Sequence, residues 1–324
     1  GEKLNLGHEF TGSVLAAIGT ALPETILPLV AIFLATQHLE TAAVKHDIAI
    51  GAIVGAPFML STLAIFILGL SLIVHRKQRN KAFEKSKHDS NFLKISVPHV
   101  KRDLKYFLII FSLGISVAAF EPLRQFSHFI AYGLILLYGV YIYDTFNHTS
   151  EEVPEDEEDE TEVPELYLEK FTKKTIGTTI PTILIQTFLG VAGIIYFAHH
   201  FIGDVEHIAG SIGISPLILS LIISPIATEL PEKVNTWIWS TEGKDTLAVG
   251  NVTGAMVFQA AIPCFIGITL TPWHLDRLSL ICASLAIISS LILYIKLSVT
   301  GKLGYKILIA TGSLYLVYLV LIFV

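Results

Sequence analysis

The chain is poor in charge. Asp, Glu, Lys and Arg make up only 15% of its 324 residues, against 52% hydrophobic, whereas an average soluble domain carries about 25% charged residues. Too little polar surface is available to clothe a globule, which excludes a soluble domain of this size. Cysteine is almost absent. Cys264 and Cys282 both fall in apolar segments, which excludes a disulfide framework and leaves them as small core residues. The alternating ten-residue pattern of an outer-membrane barrel is missing. So are HExxH or Cys-His spacings, a phosphate-binding loop and any nucleophile beside a base, so neither a resident metal nor an enzymatic activity has support. Gly1 to Gly7 lead into an apolar run without a basic n-region or a cleavage site, and no cleaved signal peptide is expected there.

What is present is a succession of apolar runs of about 20 residues, each long enough to cross roughly 30 Å of hydrocarbon as a helix. They fall near 11–36, 48–74, 104–120, 126–144, 175–198, 212–239, 246–270, 278–296 and 303–324. Backbone polar groups in lipid must be satisfied within the chain, so the spans are helices and the expected class is an all-α polytopic membrane protein. The bilayer is its first partner. Ten Lys and Arg residues lie between Arg76 and Lys105, and the positive-inside rule puts that loop in the cytoplasm. Alternation then places Lys244 and Lys302 on the same side, with the N-terminus inside and the C-terminus outside. Without an organelle-targeting segment, the expected location is a prokaryotic plasma membrane.

The net charge of -6 owes much to the acidic stretch from Glu151 to Glu162. That stretch is a solvated loop that implies no partner and no nucleic acid. It divides the chain into an N-terminal transmembrane half, 1–144, an acidic cytoplasmic linker, 145–174, and a C-terminal transmembrane half, 175–324. The halves repeat one another. Residues 18–24 read IGTALPE and residues 226–232 read IATELPE. Each is followed by a Gly-punctuated helix opening on an acidic residue, DIAIGAIVGAPF from Asp47 and DTLAVGNVTGAMVF from Asp245. By the topology above, the Glu24 span runs outward and the Glu232 span inward. The repeat is inverted, the pattern that points to a midplane site in secondary transporters.

Pro23 and Pro231 sit within spans, where a missing N–H and a ring clash break the ladder and release carbonyls. A glutamate follows each, with Thr20 and Thr228 four residues before it. Carboxylate, hydroxyl and freed carbonyls are the oxygen ligands that hard cations want, Ca²⁺ taking roughly six to eight of them. An ionised side chain at mid-membrane costs about 2.5–3.5 kcal/mol on insertion scales, so two of them demand a compensating charge. Lys233 is the one cation at comparable depth, and as the residue after Glu232 its side chain is turned roughly 100° away. A bound cation is the better partner. The alternative for Glu24 and Glu232 is a pair of protonated braces for kinked helices. For Thr20 and Thr228 it is back-bonding to the preceding turn, and for Gly51, Gly55, Gly250 and Gly254 it is close helix approach. His199, His200 and His207 read as interfacial residues before they read as a zinc site. Asp47 and Asp245 read as helix caps before cation attractors.

The doubled Pro-Glu motif, each copy followed by an acidic residue and a G-xxx-G helix, resembles the α-repeats of the calcium/cation antiporter superfamily, which includes the sodium/calcium exchangers. The resemblance spans both halves and is tightest from Gly213 to Glu232. It implies a sodium/calcium exchanger-like bundle of ten helices, of which the first has no counterpart here, so truncation is expected. It also implies alternating access, with Ca²⁺ expelled against Na⁺ or H⁺ and with those transported ions in place of any cofactor. Carried across, Glu24 and Glu232 would be the central metal-binding carboxylates, and Thr20 and Thr228 would supply further oxygens.

The pattern departs elsewhere. The serine usual after the threonine is Ala21 in one repeat and Glu229 in the other. The following helices carry Ala52, Ala56, Pro57 and Leu60 in the first half, and Asn251, Ala255, Met256 and Gln259 in the second. Polar ligands are thus lost mostly from the first repeat, while Glu229 and Gln259 join the expected cation-binding set. Glu229 lies one helical turn from Glu232, where two carboxylates can hold a proton in common, so proton coupling rivals sodium coupling. A cation sensor that does not transport, and less so an intramembrane enzyme using the glutamates as acid and base, are the alternatives to an antiporter.

Overall fold

The computed structural model describes residues 19, 21–37, 39–83, 89–148 and 180–322. The start of the first repeat, Thr20 and almost all of the acidic linker lie outside the described residues. Each span expected from the sequence finds a helix. In chain order these are α1 (Leu22–Gln37), α2 (Ala42–Val74), α3 (Arg76–Ala82), α4 (Val97–Ala119), α5 (Ser127–His148), α6 (Ile180–Ile212), α7 (Pro216–Thr228), α8 (Leu230–Glu242), α9 (Asp245–Leu270), α10 (Arg277–Thr300), α11 (Tyr305–Gly312) and α12 (Leu314–Ile322). Among the described residues six stretches are long and apolar enough to cross a membrane: α2, the segment Glu121–Asn147, α6, α9, α10 and the pair α11–α12. The remaining apolar helices, α1 and α7, are shorter.

Helices α2 and α4 start six and seven residues before their expected spans, at Ala42 and Val97. The largest shift is in α6, where the expected span ends at 198 and the helix continues to Ile212. Ile202, Val205 and Ala209 recur at helical spacing and are buried against Ala31 and Ile32 of α1 and Ile48 of α2, so the helix gains by continuing past its polar residues. Among the described residues the larger apolar cluster joins α2, α4, α5, α7, α9, α10, α11 and α12, a second joins α1, α2, α6, α7 and α9, and a small third one joins Leu27, Ala52 and Ala198. Helices α2, α7 and α9 belong to both of the first two; α2 and α9 are the most enclosed of the long helices, whereas α6 turns most of its surface outward.

The approach of α2 to α7 is unusually close. A methyl built on Gly55 would fall 2.2 Å from the Leu221 carbonyl oxygen, and one on Gly51 would fall 2.3 Å from that of Leu217. Pro225 has no N–H to give Leu221, so that carbonyl is turned toward the neighbouring helix instead. The Ser220 hydroxyl adds a bond of 2.7 Å to the Ile48 carbonyl across the same seam. Gly250, which the sequence places on a par with these glycines, is buried but would meet nothing within 4 Å. Close approach holds for Gly51 and Gly55, not for Gly250.

The ends of the helices meet on two faces. On one, the basic segment after α2 folds back over α8 and α9. Arg79, fully buried, grips Asp245 with both terminal nitrogens at 2.6 and 2.7 Å, and also donates to the Ser240 carbonyl. The Lys94 amide adds a bond of 2.8 Å to Asp245, and the Ser71 and Ser240 hydroxyls are 2.6 Å apart. An isolated bridge pairs Phe92 with Gly304, and the Lys302 ammonium lies 5.7 Å from the Phe92 ring. The connections bearing Arg79, Lys94, Lys244 and Lys302 therefore gather at one end. Asp245 is not a cap, since the α9 N-cap is Lys244 and no side chain caps that end. Asp47 is no cap either, lying in the second turn of α2. On the opposite face the Trp273 indole donates to the Gly114 carbonyl at 3.1 Å, and Lys45 approaches Glu206 at 4.0 Å.

Two outcomes follow from these contacts. Gly55→Ala forces α2 and α7 apart and costs about 1–3 kcal/mol, read as a lower melting temperature in detergent, while Gly250→Ala leaves the melting temperature unchanged. Arg79→Met, which strands a buried carboxylate, costs about 3–5 kcal/mol, and the double variant Arg79→Met, Asp245→Leu melts above either single variant.

Candidate functional site

The site grows out of a break. Helices α7 and α8 are 13 residues each and are separated by Glu229 alone, at φ −94° and ψ 12°. At 1.5 Å per residue, about 20 Å of helix lies on either side. Glu229 is therefore halfway along the span. Pro231, in the first turn of α8, has no N–H for the Ala227 carbonyl, which is why the ladder lapses there. Across the break the Glu229 amide still reaches the Pro225 carbonyl at 3.1 Å, and the Lys233 amide reaches the Glu229 carbonyl at 3.2 Å.

Three carboxylates converge on this point. Glu24 lies in the first turn of α1 and Glu232 in the first turn of α8, where unpaired amides give each helix start a partial positive charge. Glu24 is 3% exposed, Glu232 1% and Glu229 0%, and Glu24 is within electrostatic reach of both others. The Thr228 hydroxyl lies beside the Glu24 carboxylate but gives its proton to the Ser224 carbonyl, so neither Glu24 oxygen accepts a well-formed hydrogen bond among the described residues. Burial without a partner is costly for a carboxylate, and it marks a group whose partner is a ligand or a proton.

Glu229 is held on both sides. Its Oε1 accepts from the Gln259 amide at 3.3 Å and its Oε2 from the Lys233 ammonium at 3.2 Å. Gln259 comes from the middle of α9 and its own Oε1 is buried without a partner. The Thr228 hydroxyl donates to the Ser224 carbonyl at 3.0 Å, so its proton is used while its oxygen can still accept. The first repeat contributes little besides Glu24, since Ala52, Ala56, Pro57 and Leu60 are all buried apolar residues of α2. The sequence-derived set is thus assembled for Glu24, Glu229, Glu232, Thr228 and Gln259. Thr20 lies outside the described residues.

Lys233 finds partners other than Glu232, as its position on the helix predicts: the ammonium folds back one turn to Glu229 and also donates to the Pro225 carbonyl at 3.2 Å. A four-residue spacing from Glu229 was the available signal. A second buried carboxylate escaped notice. Asp103 on α4 accepts from Thr253 at 2.6 Å and from Tyr141 at 3.1 Å, with the His99 ring 3.4 Å away. In the sequence it stands amid the basic residues Lys101, Arg102 and Lys105, and nothing there marks it as buried. Among the described residues no group of three or more His, Cys, Asp and Glu side chains has the geometry of a metal centre.

The sequence matches the family described as sodium/calcium exchanger protein over residues 1–146 and 182–324, on both sides of the acidic linker. A putative antiporter, CaxA of Alkalimonas amylolytica, is 22% identical over 274 residues, spanning 85% of this chain and 74% of that protein. An H⁺/Ca²⁺ exchanger, CAX, superposes with a TM-score of 0.54 at 15% identity, over 98% of this chain and 84% of its own. The sodium-calcium exchanger NCX_Mj, soaked with Na⁺ and Sr²⁺, superposes with a TM-score of 0.60 at 18% identity, over 98% and 88%. At those identities the likeness is one of fold.

Glu24→Gln removes a buried carboxylate that has no partner and keeps its shape. In cation-free detergent the variant melts above wild type. A stabilisation of wild type by added Ca²⁺ that is absent from the variant, about 2.7 kcal/mol at a hundredfold excess over the dissociation constant, is the outcome expected of a cation ligand at Glu24.

Proposed function

We propose, from the premise that this chain belongs to the sodium/calcium exchanger protein family, that it is a secondary active antiporter exporting Ca²⁺ in exchange for Na⁺ or H⁺ by alternating access. The family is one of exchangers and not of enzymes, and the chain is an integral membrane protein. One observation carries the finer reading. The Glu24 carboxylate is buried at the start of a helix, makes no hydrogen bond among the described residues, and faces Glu229 and Glu232 across the join of the two halves. Such a constellation at mid-span calls for a hard divalent cation as substrate. Glu24 and Glu232 carry the metal in this reading, with Thr20, Thr228, Glu229 and Gln259 furnishing further polar groups.

Breaking α7 from α8 at the site, with α2 pressed against α7, gives the protein a place to rock one bundle against another around a fixed centre. The location follows from charge. The basic loop 75–105 faces the cytoplasm of a prokaryotic plasma membrane, which puts the start of the chain inside. Among the structural likenesses, one exchanges H⁺ and another Na⁺ for calcium, so both coupling ions stand as candidates.

The deciding experiment is Ca²⁺ flux into proteoliposomes holding the full chain, under an imposed Na⁺ gradient or under a pH gradient in sodium-free medium, beside the Glu24→Gln, Glu232→Gln double variant. Gradient-driven flux in wild type and its loss in the variant are expected. Flux under neither gradient overturns the calcium reading and favours a sensor. Flux that vanishes in sodium-free medium removes the proton.

A further inference from the structure

The charge count at the site is uneven in an informative way. Glu24, Glu229 and Glu232 bring three negative charges when ionised, and among the described residues one positive side chain enters the cluster, that of Lys233. Lys233 is 7% exposed, and its ammonium sits between two oxygens of different origin. One is the Pro225 main-chain carbonyl at 3.2 Å, which also accepts the Glu229 amide, and the other is Glu229 Oε2 at 3.2 Å. A carbonyl at a helix break together with a carboxylate is what a soluble monovalent cation would seek. Here the place is taken by a cation that the chain carries on a side chain of its own.

We infer that Lys233 is a tethered monovalent cation, filling the cradle of Pro225 and Glu229 so that the emptied site has a charge of minus two and is matched to one divalent ion. The inference rests on the reading of the three glutamates as a cation site. It specifies what that reading leaves open, namely why the site prefers one divalent ion to a mixture. Lys233 offsets one of the three negative charges, and a divalent ion offsets the other two. Without it, three carboxylates face one another and a soluble monovalent ion is drawn in beside Glu229. Gln259 suits the same arrangement. It donates to Glu229 Oε1 at 3.3 Å and so aims Oε2 at Lys233, while its own Oε1 stays unpartnered.

The test is equilibrium binding of ²²Na⁺ and ⁴⁵Ca²⁺ to the purified full chain in alkaline choline buffer, for wild type, Lys233→Met, Lys233→Arg and the double variant Glu229→Gln, Lys233→Met. Lys233→Met is expected to bind Na⁺ saturably and about tenfold or more tighter than wild type. Lys233→Arg and the double variant are expected to show no such gain. If Lys233→Met is too unstable to purify in choline, its yield and melting temperature with NaCl in place of choline chloride give the same readout, and recovery by Na⁺ supports the inference. No gain in Na⁺ binding by Lys233→Met, or no recovery by Na⁺, overturns it. A wild type that binds no Ca²⁺ while Lys233→Met gains Na⁺ overturns the calcium reading and leaves the tethered cation standing.

Discussion

A carbonyl that has lost its donor, or a carboxylate without a partner, cannot be left facing hydrocarbon, because lipid offers nothing in place of water. The proline residues of the second repeat make such groups deliberately. Pro225 withholds an N–H from Leu221 and Pro231 withholds one from Ala227, and the chain around Glu229 is organised by what the carbonyls at and beside the break meet. The Leu221 carbonyl is pressed against Gly55, the Pro225 carbonyl takes the Glu229 amide and the Lys233 ammonium, and the Ser224 carbonyl takes the Thr228 hydroxyl. These placements fix α2 against α7, the angle at which α8 departs, and the position of Glu232 one turn beyond. The helix break, the close helix pair and the acidic site are one construction.

The same need governs the two other buried charges, and it gives them different tasks. Asp245 is satisfied by both arms of Arg79 and by the Lys94 amide, so the segment after α2 is tied to the start of α9 at one face of the protein. Asp103 is satisfied by Thr253 and Tyr141, which ties α4 to α9 and α5. Both carboxylates have all the partners they require, and they brace the enclosed helix α9 that delivers Gln259 to Glu229. Glu24 differs from them in having no hydrogen-bond partner among the described residues. That contrast, between carboxylates that are answered within the protein and one that is not, separates scaffold from site in this fold.

The repeat is lopsided in a way that bears on mechanism. In the first half the helix after the motif presents Ala52, Ala56, Pro57 and Leu60, all buried, while in the second it presents Asn251, Thr253 and Gln259. The halves share a sequence motif but not a ligand supply. A symmetric pair of cages is therefore not what the residues form. Polar groups gather around Glu229 and Glu232, and Glu24 reaches toward them from the other half.

Much of this was legible in the chain itself. Low charge and repeated apolar runs dictate helices in a bilayer, and the Pro-Glu motif of the second repeat marks where its span is interrupted. Both are local matters, since hydrophobic length and the missing proline N–H act on a segment whatever lies beside it. The end of α6 was not legible, because Ile202, Val205 and Ala209 extend the helix only by virtue of α1 and α2 lying alongside. Arg79 was hidden among basic loop residues, and Asp103 among Lys101, Arg102 and Lys105, although both are fully buried. Gly250 was indistinguishable from Gly55 until the neighbouring backbone was placed. The turn of Lys233 away from Glu232 was legible from helix geometry, and its four-residue spacing from Glu229 was a local signal, but the Pro225 carbonyl as its second partner was not. The sequence by itself determined which segments are helical, where they break and which acidic residues lie at the break. Tertiary structure alone decided which charge answers which, because the strength of an ion pair depends on distance and burial, and both are set by helices that are distant along the chain.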